Sequence, residues 1–454
     1  MKLGIQLALW YAAARVAGAL RPRWRSRNGP RPGSPAGEPR AVETGISVII
    51  PSRNGKSLLE AQLPGIAREL ESFTAEIIVA DNGSDDGTAQ WLRAAWPQVH
   101  VELSHPPLSF ARAVNRGIAR ARYSHVCLLN NDMLLEPGFF GALVRAFQQA
   151  PDLFCATAQI RFPEGVRREE TGKAVMAQSH PDDFPIRCDE PLPGEDLSYV
   201  LYGSGGCSLY DAARLRALGG VDQAYEPAYV EDLDLGYRAW QRGWPTVYVA
   251  GAVVEHRHRA TTSRYYTPAQ LEEILEVNYL RFLVRAVVSP KLFRKLWRQA
   301  TRRLRMRVQP ALLRTAARMA LWGGSPGVPE YSEELILALS SGAVAVFPGQ
   351  VVSDRPRALI VSSYLAAPLS AGFDSVLVAF TKRLATPPPE ILAASVEVVL
   401  VLEDSASSAF RSALHQTVRK WRPAVAQLEA PQMAQYAADC VPARAILVPP
   451  PHPD

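Results

Sequence analysis

Four groups of residues in the 454-residue chain have side chains and spacing suited to chemistry. The first is DNGSDDGT (81–88). Here a carboxylate precedes Gly and Ser, and Asp85 and Asp86 stand ahead of a helical pattern, where the helix dipole favours anions. The same string can be only a tight turn with a helix cap. The second group is Asn130-Asn131-Asp132, one carboxylate beside two amides. Oxygen-rich sets of this kind suit hard divalent cations, and a polar turn is the alternative. The third, Glu231-Asp232, opens a helical pattern. It can supply a general base for a hydroxyl, or match the dipole as part of a solvated acidic run with Asp234. The fourth is His256 with His258, two apart after a strand pattern and therefore on one face. A neutral imidazole there can complete a metal site or serve a phosphate, or it can be structural.

These groups need elements to position them. From residue 46 the chain alternates short apolar runs with amphipathic ones. Strands are expected at Ile46–Pro51, Glu76–Ala80, Val99–Leu103 and His125–Asn130. Helices are expected at Lys56–Leu70, Thr88–Trp96, Phe110–Arg122 and Pro137–Gln149. This alternation predicts a parallel sheet with helical crossovers, whose ligands bind outside the carboxyl ends of the strands. The polar clusters Ser52–Gly55, Asp81–Thr88 and Asn130–Asp132 fall at those ends. Residues 160–265 are less regular, and 269–287 read as a helix. From Arg357 a second, smaller α/β pattern begins: a strand at 358–364, a helix around 372–384, a strand at 396–402 and a helix around 407–420.

The composition, 48% hydrophobic and 21% charged, excludes wholesale disorder and allows about two or three domains. No charge-free apolar run of about 18 residues exists, which excludes a polytopic membrane protein. The five cysteines (Cys127, Cys155, Cys188, Cys207 and Cys440) have no CxxC spacing. They do not form a disulfide framework or a zinc knuckle, and they fit a reducing compartment.

The net charge of +6 is local. Residues 1–40 carry eight Lys/Arg against Glu38, and residues 291–318 carry ten with no acid, so the rest of the chain is acidic. The second segment interleaves its cations with Leu292, Leu296, Trp297 and Leu304, as a basic amphipathic helix broken near Pro310. Such a helix lies at an anionic membrane surface, or packs on the domain as a solvated arm. No nucleic-acid-binding motif accompanies it. The apolar N-terminus, interrupted by Arg15, reads as an interfacial anchor, and residues 28–44 read as a flexible tether.

Taken in order, SVIIPSRNG, IIVADNGSDDGT, FARAVNRGI, HVCLLNNDM, GSGGCSLY, GGVDQAY, YVEDLDLGYRAWQRGW and GAVVEH resemble the family 2 glycosyltransferases, notably their bacterial rhamnosyl- and galactofuranosyl-transferase-like branch. The resemblance spans about residues 46–287. It implies an α/β GT-A fold, Rossmann-like, with a mostly parallel sheet and helices on both faces. It implies an inverting transfer from a nucleotide-diphosphate sugar to an acceptor hydroxyl. With the two basic segments, the expected acceptor is a glycan or lipid-linked one, in surface polysaccharide or glycolipid assembly at the cytoplasmic face of the inner membrane. By position, Pro51, Arg53 and Asp81 line the nucleoside pocket, with Ser84, Asn130 and Asn131 also on the donor. Asp132, last of the family's Asp-x-Asp motif, and His256 hold Mg2+ or Mn2+. Asp232 is the catalytic base with Glu231 as the fallback, and Gly203, Ser204, Gly205 and Gly206 face the acceptor. Asn130 replaces the first acid of the motif, which predicts weaker metal affinity.

Residues 357–448 resemble the opening of a GT-B N-terminal domain and imply a partial, catalytically silent unit. The expected layout is therefore an anchor and tether (1–44), the GT-A domain (45–287), a basic helical segment (288–322), a linker (323–356) and the partial unit (357–454). A non-catalytic scaffold for glycan-assembly enzymes is the competing expectation. A sugar nucleotidyltransferase would want a glycine-rich loop after the first strand, which PSRNGKS does not provide.

Overall fold

A computed structural model of the chain describes residues 2–20, 43–150, 152–163, 172–175, 180, 183–257, 264–322, 329–363, 372–381, 386–403, 407–428 and 444–447. The N-terminal helix α1 (Lys2–Leu20) precedes β1 (Glu43–Ser52), α2 (Lys56–Leu70), β2 (Ala75–Asp81), α3 (Thr88–Ala95) and β3 (His100–Leu103). Then come α4 (Phe110–Arg120), β4 (Tyr123–Leu129), β5 (Met133–Leu135), α5 (Phe139–Gln149) and β6 (Cys155–Arg161). The irregular stretch holds a small hairpin, β7 (Lys173–Val175) with β8 (Arg187–Asp189), and then β9 (Tyr199–Val200) and β10 (Cys207–Asp211). It continues through α6 (Ala212–Ala217), α7 (Glu231–Trp240), β11 (Thr246–His256) and α8 (Pro268–Ala286).

Nine strands form one sheet in the order β3-β2-β1-β4-β10-β6-β11-β5, with β9 on β11. β1, β2, β3 and β4 pair in parallel, as the alternating pattern requires. Ile46, Val48 and Ile50 of β1 face one core with Leu59, Leu63 and Ile66 of α2. Ile49 faces the opposite core with Val114 and Ile118 of α4. A strand covered on both faces reads as a continuous apolar run, which is why ISVII stands out in the sequence. The architecture is the expected α/β type, a mostly parallel sheet with helices on both sides.

The basic segment forms two helices, α9 (Pro290–Met306) and α10 (Pro310–Trp322), with the break where Pro310 was expected to make it. Residues expected as linker instead contribute α11 (Glu333–Leu339) and β12 (Val344–Pro348). Glu333 explains part of this order. Its buried carboxylate accepts from Val288 N, Ser289 N and the Tyr237 hydroxyl, bolting α11 onto the first unit.

The second unit continues with β13 (Arg357–Ser362), β14 (Asp374–Phe380), α12 (Pro389–Ala394), β15 (Ser395–Val401), α13 (Ser408–Trp421), β16 (Val425–Leu428) and β17 (Arg444–Leu447). Its sheet order is β12-β15-β14-β13-β16-β17, parallel except at β12. The stretch 374–380 was expected as a helix and is a strand. DSVLVAF is buried between two parallel neighbours, so its apolar run has no free face and no helical period. Four cysteines, Cys127, Cys155, Cys188 and Cys207, are free and buried, and Cys440 lies outside the described residues.

Candidate active site

β1, β2 and β4 end at the same edge of the sheet, and their polar loops tie to one another there. Asn54 N donates to the Ser84 hydroxyl at 2.9 Å, and Asp85 N to Asn54 Oδ1 at 2.8 Å. Asp86 accepts from Lys56 N at 3.1 Å and Thr88 N at 3.0 Å, joining the starts of α2 and α3. Burial works upward on its carboxyl, but these hydrogen bonds prevail and hold its pKa below the usual range. Asn131 Nδ2 donates to Ser52 Oγ at 3.0 Å. That contact fills the space beside Gly55, where a Cβ would overlap both groups.

A cleft of about 250 Å³ opens over these loops, lined among others by Pro51, Arg53, Asn130, Asn131, Asp132 and His256. Asp81 and Ser84, both expected on the donor, do not line it. Asp81 is buried and accepts from Ser84 N at 3.2 Å, so it shapes the turn. The next residue, Asn82, reaches the cleft and clamps Leu108 with both ends of its amide, at 2.6 and 2.8 Å.

Asp132 and His256 come from opposite ends of the first unit's sequence and meet because β5, which starts at the next residue, pairs antiparallel with the end of β11, His256 facing Met133. Arg257 N adds a bond to the Asp132 carbonyl at 2.9 Å. Nε2 of His256 lies 3.5 Å from Oδ2 of Asp132. Asp132 Oδ1 is buried without a hydrogen-bond partner. An orphaned carboxylate oxygen is costly unless something else satisfies it, and a divalent cation fits an oxygen and an imidazole at this spacing. Among the described residues no cluster of three His, Cys, Asp or Glu exists, so further ligands would have to come from substrate or water. His258 lies outside the described residues.

Asn130 connects the cleft to the glycine cluster. Its N–H donates to Gly206 O at 2.8 Å, and a Cβ on Gly206 would stand 2.6 Å from Asn130 Nδ2. Ser204 N is pinned to Thr157 Oγ1 on β6 at 3.1 Å, and Gly203 packs on Cys155. Gly205 N in turn donates to Asp232 Oδ2 at 3.4 Å. The turn 203–206 thus bridges the Asp132 side of the site to the start of α7.

That helix start is strained. Tyr229 and Val230 hold φ of 74° and 73°, a left-handed conformation that costs about 1–3 kcal/mol at a non-glycine residue. Asn278 of α8 holds the turn by donating to the carbonyls of Ala228 and Tyr229. Glu231 is buried and its Oε2 has no partner, while Asp232 is half-buried. Burial, then the neighbouring charge of Asp232, pushes the Glu231 pKa up to about 8. Burial also raises that of Asp232. Near neutral pH Glu231 is therefore the member of the pair that holds a proton. Asp234 is not a solvated acid. It is fully buried, accepts from Tyr225 OH at 3.0 Å and pairs with Arg238 Nε at 2.6 Å. Arg238 also donates to the carbonyls of Leu218 and Gly220.

Residues unforeseen in the sequence complete the cleft: Asn82, Phe110, Tyr229, Tyr265 and Tyr266. The Arg53 guanidinium lies 4.1 Å from the centre of the Tyr265 ring, and Arg264 donates to Asn54 O at 2.8 Å. The aromatic doublet Tyr265-Tyr266 after the EHRHR string was a visible signal. The left-handed turn at Tyr229 had none.

Residues 43–272, half of the chain, match the family model described as "Glycosyltransferase like family 2". The chain belongs to that family. Among relatives of the family 2 domain, an N-acetylglucosaminyl-diphospho-decaprenol L-rhamnosyltransferase of Mycobacterium tuberculosis is 29% identical over 212 residues, 41% of this chain and 68% of the relative. A validoxylamine A glucosyltransferase of Streptomyces hygroscopicus subsp. jinggangensis is 24% identical over 225 residues, 44% of this chain and 52% of the relative. Of solved structures, GalNAc-T7 with UDP, GalNAc and Mn2+ aligns with TM-score 0.43 and 15% identity over 54% of this chain and 48% of its own. The mannosyltransferase PcManGT of Pyrobaculum calidifontis, with GDP-Man and Mn2+, aligns with TM-score 0.40 and 16% identity, over 70% of this chain and 85% of its own.

Proposed function

We propose that this family 2 protein is an inverting glycosyltransferase that moves a sugar from a nucleoside-diphosphate donor to a hydroxyl of a lipid-linked glycan. The observation that carries the reading is the buried, unsatisfied Asp132 Oδ1 beside His256 in the lining of a cleft, with Asn130 of that lining bonded to the 203–206 turn and the turn bonded to Asp232. Asp132 and His256 would hold Mg2+ or Mn2+. Such an ion, when bound, neutralises charge on the leaving group without proton transfer. Pro51, Asn82 and the Arg53–Tyr265 stack grip the nucleoside side. Asp232 takes the proton of the acceptor hydroxyl, and Glu231, protonated beside it, leaves that charge undivided. The rhamnosyltransferase relative, whose name specifies a polyprenyl-diphosphate-linked acceptor, supports the lipid-linked class and the rhamnosyl-transferase-like branch. The second unit, from Arg357, supplies no residue to this site in the reading proposed here.

The test is Asp232→Asn, assayed for sugar transfer with a panel of nucleoside-diphosphate sugars, with and without Mn2+. Loss of a general base costs about 10²–10⁴-fold in kcat, and donor affinity should hold. Turnover near that of the unaltered protein would move the base elsewhere, and full activity in chelator would remove the metal from the proposal.

A further inference from the structure

Helix α1 is apolar nearly all round, with only Lys2 and Arg15 charged. A helix of that kind belongs inside a core or against another apolar phase. One side of α1 has its partner. Leu7, Trp10, Tyr11, Ala14 and Ala17 pack with α9 and α10 in the largest core of the chain. Trp297 of α9 donates its indole N–H to Ala14 O at 2.9 Å. Gly18 lies so close to the same ring that any Cβ would overlap it. The opposite side has none among the described residues. Ile5, Leu9, Val16 and Leu20 are 62%, 60%, 57% and 67% exposed, and with Ala12 they form one stripe at helical spacing along about 23 Å.

The neighbouring helix α9 carries a cationic ridge. Arg294, Arg298, Arg302 and Arg305 follow at intervals of four, four and three on α9, all exposed. Arg305 lies 4.7 Å from the ring of Tyr11 on α1, and Trp297 next to Arg298 is the residue that holds Ala14 and Gly18, so the ridge borders α1 along its length. Arg294, Arg298 and Arg302 have no ion pair among the described residues, and no acid occurs between residues 291 and 318.

The geometry points to an anionic lipid surface as the occupant: α1 lies flat in the interface with its stripe in the acyl boundary, and the α9 ridge meets the headgroups. An uncharged apolar partner would leave the ridge unmatched. A second copy docked by a two-fold axis would bring an identical cationic ridge against it. A spanning orientation would require α1 to leave Trp297 or to carry the arginines of α9 into hydrocarbon. Binding is read without donor or acceptor, so the surface stands or falls separately from the transferase reading.

The experiment is flotation of the full chain with vesicles of phosphatidylcholine alone and of three parts phosphatidylcholine to one part phosphatidylglycerol. Binding to the anionic vesicles should exceed that to neutral ones by about tenfold or more, weaken with salt, and be released by alkaline carbonate. Ile5→Glu/Leu9→Glu/Val16→Glu and, separately, Arg294→Glu/Arg298→Glu/Arg302→Glu should each reduce it about tenfold or more with the melting temperature unchanged. The triple Gln change on α1 serves if the Glu set fails to fold, with loss of binding again expected. Equal binding to neutral vesicles, retention through carbonate, indifference to both sets of substitutions, or a solution dimer broken by the α1 set without vesicle binding would each overturn the proposal.

Discussion

Glu231→Gln tests the electrostatics at the start of α7. In the folded protein the Glu231 pKa is pushed up to about 8 by burial and by the Asp232 charge, against an ordinary value of 4.5. An acid with a raised folded pKa binds more protons folded than unfolded. Its contribution is therefore fully present below the unfolded pKa and is lost as pH rises toward the folded one. Between about pH 5 and about pH 8 the loss is about 3 kcal/mol, at about 1.4 kcal/mol for each pKa unit. Gln cannot ionise and carries no such loss. Urea titrations followed by tryptophan fluorescence at both pH values, on both proteins, separate the Glu231–Asp232 pair from the titrating groups that do not interact with it. The stability difference between the two proteins should shift in favour of Gln by about 3 kcal/mol on going from about pH 5 to about pH 8. A difference that stays constant across this range would refute the reasoning that Glu231 sits protonated in the fold. The same variant should keep most transfer activity if Asp232 is the base, because Gln preserves the neutral neighbour that a protonated Glu231 provides.

Asp132→Asn and His256→Ala should each lower Mn2+ affinity by about 10–100-fold or more, and the double variant should add little, as read by Mn2+-dependent thermal shift. Gly206→Ala forces a Cβ to 2.6 Å from Asn130 Nδ2; it should cost about 1–3 kcal/mol and depress kcat with little change in donor affinity. Arg238→Met leaves the fully buried Asp234 without its cation and should destabilise the protein by about 3–5 kcal/mol, measured by urea denaturation.

The sequence by itself determined the sheet-forming runs and the edge where the loops gather. ISVII and EIIVA are apolar throughout because both faces of those strands are covered, and polar residues must resume where the strands leave the core. It also determined that Asp132, Asp232 and His256 were the residues to watch, through motifs whose order along the chain is specific. It misread 374–380, where seven residues of apolar run fit a helix or a strand until neighbouring strands decide. It could not distinguish Asp81 from Asn82 as the residue reaching the cleft, since that depends on which way one side chain turns after the last ladder bond of β2. Nor could it separate the acids of EDLD. Asp234 is locked to Arg238 and Tyr225, whereas Glu231 lies buried beside a strained turn held by Asn278, about fifty residues on. Local pattern sets what each segment can be. Only the packing of distant segments sets which polar atoms lose their water and which find a partner, and at this site that difference is the chemistry.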